Sequence, residues 1–161
     1  MMIDWPLFGI FLATTYAAGA TGAFFSPDGW YDRIDKPKWT PPNWLFPVAW
    51  FVLYICMAYA ATRVAISGSP LLVYALAIWG LQVAFNTLWS PVFFGLHRLG
   101  AALVVLCGMW ISVLAMAVSF YQADMIAGLL ILPYVVWTSY AWALNFSIWR
   151  RNRGAVQAAG A

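Results

Sequence analysis

Apolar positions gather into five long runs along this 161-residue chain, and polar positions collect in the intervals between them. The runs extend over about Ile3 to Phe25, Trp44 to Ile66, Leu71 to Leu96, Leu99 to Tyr121 and Met125 to Trp149. Each meets the roughly 20 residues a helix needs to cross the hydrocarbon core of a bilayer. The pattern predicts an all-α membrane protein, a bundle of five transmembrane helices with an ordered loop over residues 26–42 between the first and second. Ser67 to Pro70, His97 to Arg98 and Gln122 to Asp124 are too short to hold a second fold, so a single domain over 1–161 is expected. Short links also predict that consecutive helices are antiparallel neighbours.

Composition strengthens this reading. The chain is 65% hydrophobic and 8% charged, far from the balance of a soluble domain. Ala18 and Ala20 imitate a signal-peptidase site, but Asp4 precedes the first run and apolar sequence continues through Phe25, so an uncleaved first helix is expected. Arg33, Lys36, Lys38, Arg98, Arg150, Arg151 and Arg153 fall on one side of a five-helix topology and Arg63 on the other. A cytoplasmic excess of cations then puts the N-terminus outside and the first loop and C-terminus in the cytoplasm. The net charge of +3 is absorbed by this asymmetry, and no nucleic-acid partner is expected.

The membrane interior carries no ionisable residue, which excludes ion-coupled pumping and leaves no carboxylate pair or Ser-His-Asp set for acid-base catalysis. Cys56 and Cys107 lack a CxxC spacing and read as packing residues; His97, the single histidine, lies at a helix end, so no metal or required cofactor is expected. The polar groups at depth are neutral and periodic. Gln82, Asn86, Trp89 and Phe93 share one face of the third run, Trp50, Tyr54, Met57 and Ala61 one face of the second, and Trp137, Ala141 and Asn145 one face of the fifth. Interhelical packing and convergence on a cavity both account for such stripes. Pro91 and Pro133 free backbone carbonyls near Thr87 and Leu129, to be met by a kink, a side chain or a ligand.

Residues 26–42 are too long for a mere connection and too aromatic for a disordered one. Trp30, Tyr31 and Trp39 need apolar surroundings, Thr40 or Asn43 can cap the second helix, and Asp32, Arg33, Asp35 and Lys36 can pair locally. The segment reads as a lid whose cations suit an amphiphile with an apolar body and an acidic edge, such as a porphyrin, or else as an interfacial aromatic belt.

Three blocks, WYDRIDKPKWTPPNWLFPVAWFVLYICMAYAATR from Trp30, QVAFNTLWSPVFFG from Gln82 and LPYVVWTSYAWALNFSIWRRN from Leu132, resemble the signature blocks of the translocator protein family, also called tryptophan-rich sensory proteins or peripheral-type benzodiazepine receptors. The resemblance covers nearly the whole chain, and the short C-terminus without an organelle presequence is similar to bacterial members. It implies a five-helix protein, often a homodimer, that binds protoporphyrin IX or another tetrapyrrole, sterols, and isoquinoline carboxamide or benzodiazepine-type ligands under the first loop. Carried over by motif, the ligand-binding positions are Trp30 and Tyr31 in the lid, Trp39, Trp50, Tyr54, Asn86, Trp137 and Ala141. The resemblance further implies a sensory or regulatory role, with light-dependent porphyrin degradation using Trp50 and Trp137, or facilitated porphyrin or cholesterol transport, as alternatives. The proposed sterol motif of animal members matches Leu144, Phe146 and Arg150, but Phe146 replaces their Tyr and lowers the expectation of strong sterol binding. Ala77, Gly80 and Ala84 form a small-residue stripe on the third run and are the expected dimer interface; Gly9, Ala13 and Ala17 form a comparable stripe on the first.

Overall fold

The computed structural model describes the backbone of residues 3–158 and the side chains of residues 3–154. Six α-helices follow in order: α1 (Trp5–Phe24), α2 (Gly29–Arg33), α3 (Leu45–Ala65), α4 (Leu72–Ser90), α5 (Leu99–Ala123) and α6 (Met125–Ala158). Among the described residues, all but the short α2 are long and apolar enough to cross a membrane, giving five spans of an integral multi-pass protein. The chain's first and last residues, which the single-domain expectation includes, lie outside the described range.

Local chemistry sets the helix ends. Asp4 opens α1 by accepting from the Leu7 N–H at 3.0 Å, with Pro6 in the first turn where its missing N–H costs nothing. Asp124 does the same for α6, accepting from the Ala127 N–H at 2.8 Å. No side chain caps α3: Trp44 holds that position, and Thr40 instead donates to the Pro37 carbonyl, so the expectation of a Thr40 or Asn43 cap is corrected. The third apolar run does not stay α-helical to Leu96. Because Pro91 has no N–H, the chain widens into a π-helical turn over Pro91–Gly95, closed by the Leu96 N–H on the Pro91 carbonyl at 2.9 Å. The fifth run also departs from expectation by continuing well past Trp149, as polar RRNR sequence keeps the helical path outside the apolar layer.

The spans close into a ring in the order α1, α3, α6, α5, α4 and back to α1. One expectation fails here. Despite the short link after Ile66, α3 and α4 meet less extensively than either meets α1, which lies between them. The reason is steric. Ala58, Ala60, Ala61 and Val64 of α3 are fully buried, and such small side chains admit neighbours on more than one side.

The α5–α6 hairpin is the tightest contact: a Cβ on Gly128 would run into the backbone of Tyr121. A second pin crosses the same end of the bundle. Arg63, in the last turn of α3, donates to both carboxylate oxygens of Asp124 at 3.0 and 2.8 Å. With both side chains largely shielded from solvent, this bidentate pair ties α3 to the α5–α6 turn.

Candidate functional site

At the end opposite the Arg63–Asp124 pair the ring does not fill with side chains. A cavity of about 740 Å³ remains, within the roughly 300–1,000 Å³ of small-molecule sites. Its walls differ in kind. Gly19, Ala20, Gly22 and Ala23 of α1 leave one side open and smooth; Phe46, Trp50 and Tyr54 of α3 and Trp137 of α6 supply aromatic faces opposite. Gly19 is required by close approach, since a Cβ there would overlap the Tyr54 ring. Leu106 and Met109 of α5 complete the apolar lining.

The polar floor is a chain of neutral hydrogen bonds. Tyr54 donates to Asn86 Oδ1 at 3.3 Å, Asn86 Nδ2 donates to the Tyr134 hydroxyl at 3.2 Å, and Tyr134 donates to Gln82 Oε1 at 2.9 Å. The three sequence stripes therefore divide by height. Trp50, Tyr54, Asn86, Trp89, Phe93, Trp137, Ala141 and Asn145 face the cavity, whereas Gln82, Met57 and Ala61 lie below it in the packed core.

The loop over the cavity is tied at several points. Asp28 accepts from the Trp30 and Tyr31 N–H groups at 3.0 and 3.1 Å, starting α2, and the Tyr31 N–H leads in holding its carboxyl below the usual carboxylate range. Its other oxygen lies 3.5 Å from His97 Nε2, and the His97 ring stacks under Trp30 at 4.2 Å. His97 reaches that place through a left-handed backbone turn with φ of 54°. Farther along, the Asp35 N–H donates to Asn152 Oδ1 at 3.0 Å and the Asp35 carbonyl accepts from Asn152 Nδ2 at 2.9 Å. Arg151 also reaches the Asp35 carboxylate, so Asp35 pairs with α6 and not with its loop neighbours as expected. This explains the long α6: its polar extension is the loop's anchor.

Of the residues singled out in the sequence, Tyr31, Trp50, Tyr54, Asn86, Trp137 and Ala141 line the cavity. Trp30 and Trp39 do not. Trp30 is held between His97 and Phe93, and Trp39 is 48% exposed, its carbonyl accepting from Tyr140 and its ring packed edge-on against Tyr140. The sterol-motif residues separate: Leu144 faces the cavity, while Phe146 stacks on Trp142 and Arg150 is exposed. The expected cationic edge is also corrected, because among the described residues no charged side chain lines the cavity and Lys36 instead lies 4.2 Å over the Tyr31 ring. Sequence reasoning missed the α1 wall and Asn43 as site residues, and it read Trp89, Phe93 and Asn145 in the helical stripes without naming them as ligand-binding. For Asn145 the signal was present in its spacing from Trp137 and Ala141. Ala77, Gly80 and Ala84 are exposed along one face of α4, and Gly9, Ala13 and Ala17 along one face of α1.

Comparison with known proteins puts this arrangement among relatives. Residues 11–150 match the model of a family described as the TspO/MBR family. "Protein CrtK" of Rhodobacter capsulatus is 52% identical over 150 residues, 92% of this chain and 94% of that protein. The "Tryptophan-rich sensory protein" of Cereibacter sphaeroides is 49% identical over 153 residues, 94% and 95% of the two chains. The human "Translocator protein" is 33% identical over 154 residues, 92% and 91% of the two chains.

Proposed function

The chain belongs to the TspO/MBR family, and from that premise we propose that it is a membrane tetrapyrrole-binding protein with a sensory or regulatory role, taking protoporphyrin IX or a related planar ligand in the cavity beneath its first loop. The observation that carries this reading is the pairing of Trp50 and Tyr54 on one wall with Trp137 on another around about 740 Å³ of neutral space. Flat aromatic faces favour a flat apolar ligand, through stacking and the burial of a large apolar area. Asn86 offers such a ligand its remaining amide hydrogen and its second carbonyl lone pair.

Sterols and isoquinoline carboxamide or benzodiazepine-type ligands fit the same apolar volume. Sterol binding there rests on Leu144 alone among the motif residues, since Phe146 and Arg150 point elsewhere. The protein acts as a homodimer through the Ala77, Gly80 and Ala84 face of α4, with the first loop and C-terminus in the cytoplasm of a bacterium and the N-terminus outside.

A second reading, light-dependent degradation of the bound porphyrin, is favoured by one observation: both Trp50 and Trp137, oxidisable indoles, face the cavity. The test is quenching of intrinsic Trp fluorescence by protoporphyrin IX in detergent, first in darkness and then under light, for the wild type, Asn86→Ala and Trp137→Phe. Saturable quenching that weakens in both variants supports binding; linear quenching indifferent to either would end the reading. Light-driven bleaching that proceeds equally in Trp137→Phe at equal occupancy would remove the enzymatic alternative.

A further inference from the structure

The cavity has a second polar position whose chemistry the floor network does not use. Asn145 is 2% exposed and lines the cavity, yet neither its Nδ2 nor its Oδ1 has a hydrogen-bond partner among the described residues. The Trp89 indole Nε1, on the facing helix, is likewise buried without a partner, and Trp89 also lines the cavity. Both belong to the loop end: Trp89 packs into the cluster that contains Leu144 and Ile148, the residues on either side of Asn145 along α6. Asn86, by contrast, has both amide atoms engaged. Buried polar groups in native proteins are almost always paired, so an amide left open in an apolar setting points to a ligand group that completes it.

We propose that Asn145 and Trp89 form a second hydrogen-bonding subsite that recognises an uncharged carboxyl-type group, a protonated carboxylic acid or a carboxamide bearing N–H, at the edge of the cavity ligand. The complementarity follows from the donor inventory. Asn145 supplies two N–H donors and one carbonyl acceptor, and Trp89 supplies a donor alone. A group with both an acceptor and a donor engages all three atoms at once, with the ligand carbonyl taking one N–H from Asn145 and the Trp89 N–H, and the ligand O–H or N–H returning to Asn145 Oδ1. A carboxylate leaves Oδ1 facing negative charge, and among the described residues no lysine or arginine lines the cavity to stabilise an anion.

This subsite deepens the tetrapyrrole reading and rests on it for the ligand, though not for the chemistry. The experiment compares protoporphyrin IX with its dimethyl ester, and 2-naphthamide with N,N-dimethyl-2-naphthamide, on the full chain in detergent. Affinities come from Trp quenching, and ligand-free thermal stability is recorded, for the wild type, Asn145→Leu and Trp89→Phe. At about pH 4, where a carboxylic acid of ordinary pKa is largely protonated, the wild type binds the free acid, like the N–H amide, about tenfold more tightly than its blocked counterpart, the effect of one hydrogen bond at its upper range. Asn145→Leu abolishes that preference, weakening the acid and the N–H amide more than their blocked counterparts, which lose only the Asn145 N–H donated to their carbonyl, and melts no lower than the wild type. Trp89→Phe weakens all four ligands alike, because each retains a carbonyl acceptor. If porphyrins bind but Asn145→Leu keeps the acid-over-ester preference, the subsite is overturned and the tetrapyrrole reading stands. If no porphyrin binds while the amide pair is still discriminated through Asn145, the tetrapyrrole reading fails and the subsite stands. Discrimination of neither pair by the wild type overturns the subsite.

Discussion

Arg63 and Asp124, 61 residues apart in sequence, meet in a bidentate ion pair at 2.8 and 3.0 Å that locks the end of α3 onto the turn between α5 and α6. Asp124 also caps α6 through the Ala127 N–H, so one carboxylate serves both a helix terminus and a tertiary contact. Leaving either ion unpaired in a shielded position costs about 1–3 kcal/mol. Arg63→Met and Asp124→Asn are expected to lower the thermal midpoint in detergent, and a double variant to lose less than the sum of the two. Full additivity in that cycle would mean the pair is not coupled.

The same pair predicts a pH dependence. The Arg63 guanidinium leads in holding the Asp124 carboxyl below its ordinary range. A carboxylate with a depressed folded-state pKa contributes stability that is present above the unfolded value, about 3.9, and lost as pH falls through the lower folded value. Wild-type melting should therefore drop on acidification below about pH 4 more steeply than that of Arg63→Met. Parallel acid limbs for the two proteins would contradict the assignment.

Tyr134 is fully buried and bridges two amides, donating to Gln82 and accepting from Asn86. Tyr134→Phe removes the bridge and strands the Gln82 carbonyl in the apolar core, at about 1–3 kcal/mol. Gln82→Leu in that background should recover part of the loss, because it removes the orphaned group. Melting curves of the two proteins decide it; further destabilisation by Gln82→Leu would place the cost elsewhere.

Gly128 lets α6 approach the backbone of Tyr121 more closely than any side chain allows. Gly128→Ala is expected to cost about 1–3 kcal/mol by forcing the α5–α6 hairpin apart. Since the clash is with main-chain atoms as well as Tyr121 Cβ, Tyr121→Ala should not restore stability. Rescue by that second change, seen as a recovered thermal midpoint, would show the conflict to be with the ring.

The proposed dimer gives a fifth test. Ala84→Cys on α4 should form disulfide-linked dimers on mild oxidation, while Ala13→Cys on the exposed face of α1 should not. Crosslinking through Ala13→Cys alone would move the interface to α1.

How much of the site was legible in the sequence depends on the scale of each feature. Trp50, Tyr54, Asn86, Trp137 and Ala141 were placed at the site by motif resemblance, since their helical stripes alone fit packing and a cavity alike, and they do line the cavity. The α1 wall was not readable: Gly19, Gly22 and their alanine neighbours carry no chemical signal, and their role is to leave space. Trp30 and Trp39 were placed in the site by composition and motif, yet His97 and Tyr140 claim them instead. Likewise the loop cations were expected at the ligand, but Lys36 lies over the Tyr31 ring, and Asp35, expected to pair within the loop, finds Arg151 on a helix more than a hundred residues later.

The sequence by itself determined the membrane solvent, the number of spans and the inward faces of the helices, because apolar length and the 3.6-residue period are local properties that the bilayer reads directly. Only the tertiary structure decided that α1 lies between α3 and α4, that the loop is anchored to an extended α6, and that Asn145 has no partner among the described residues while each amide atom of Asn86 holds one. Those outcomes depend on which side chains compete for the same partner or the same space, and such competition is settled only when the helices pack.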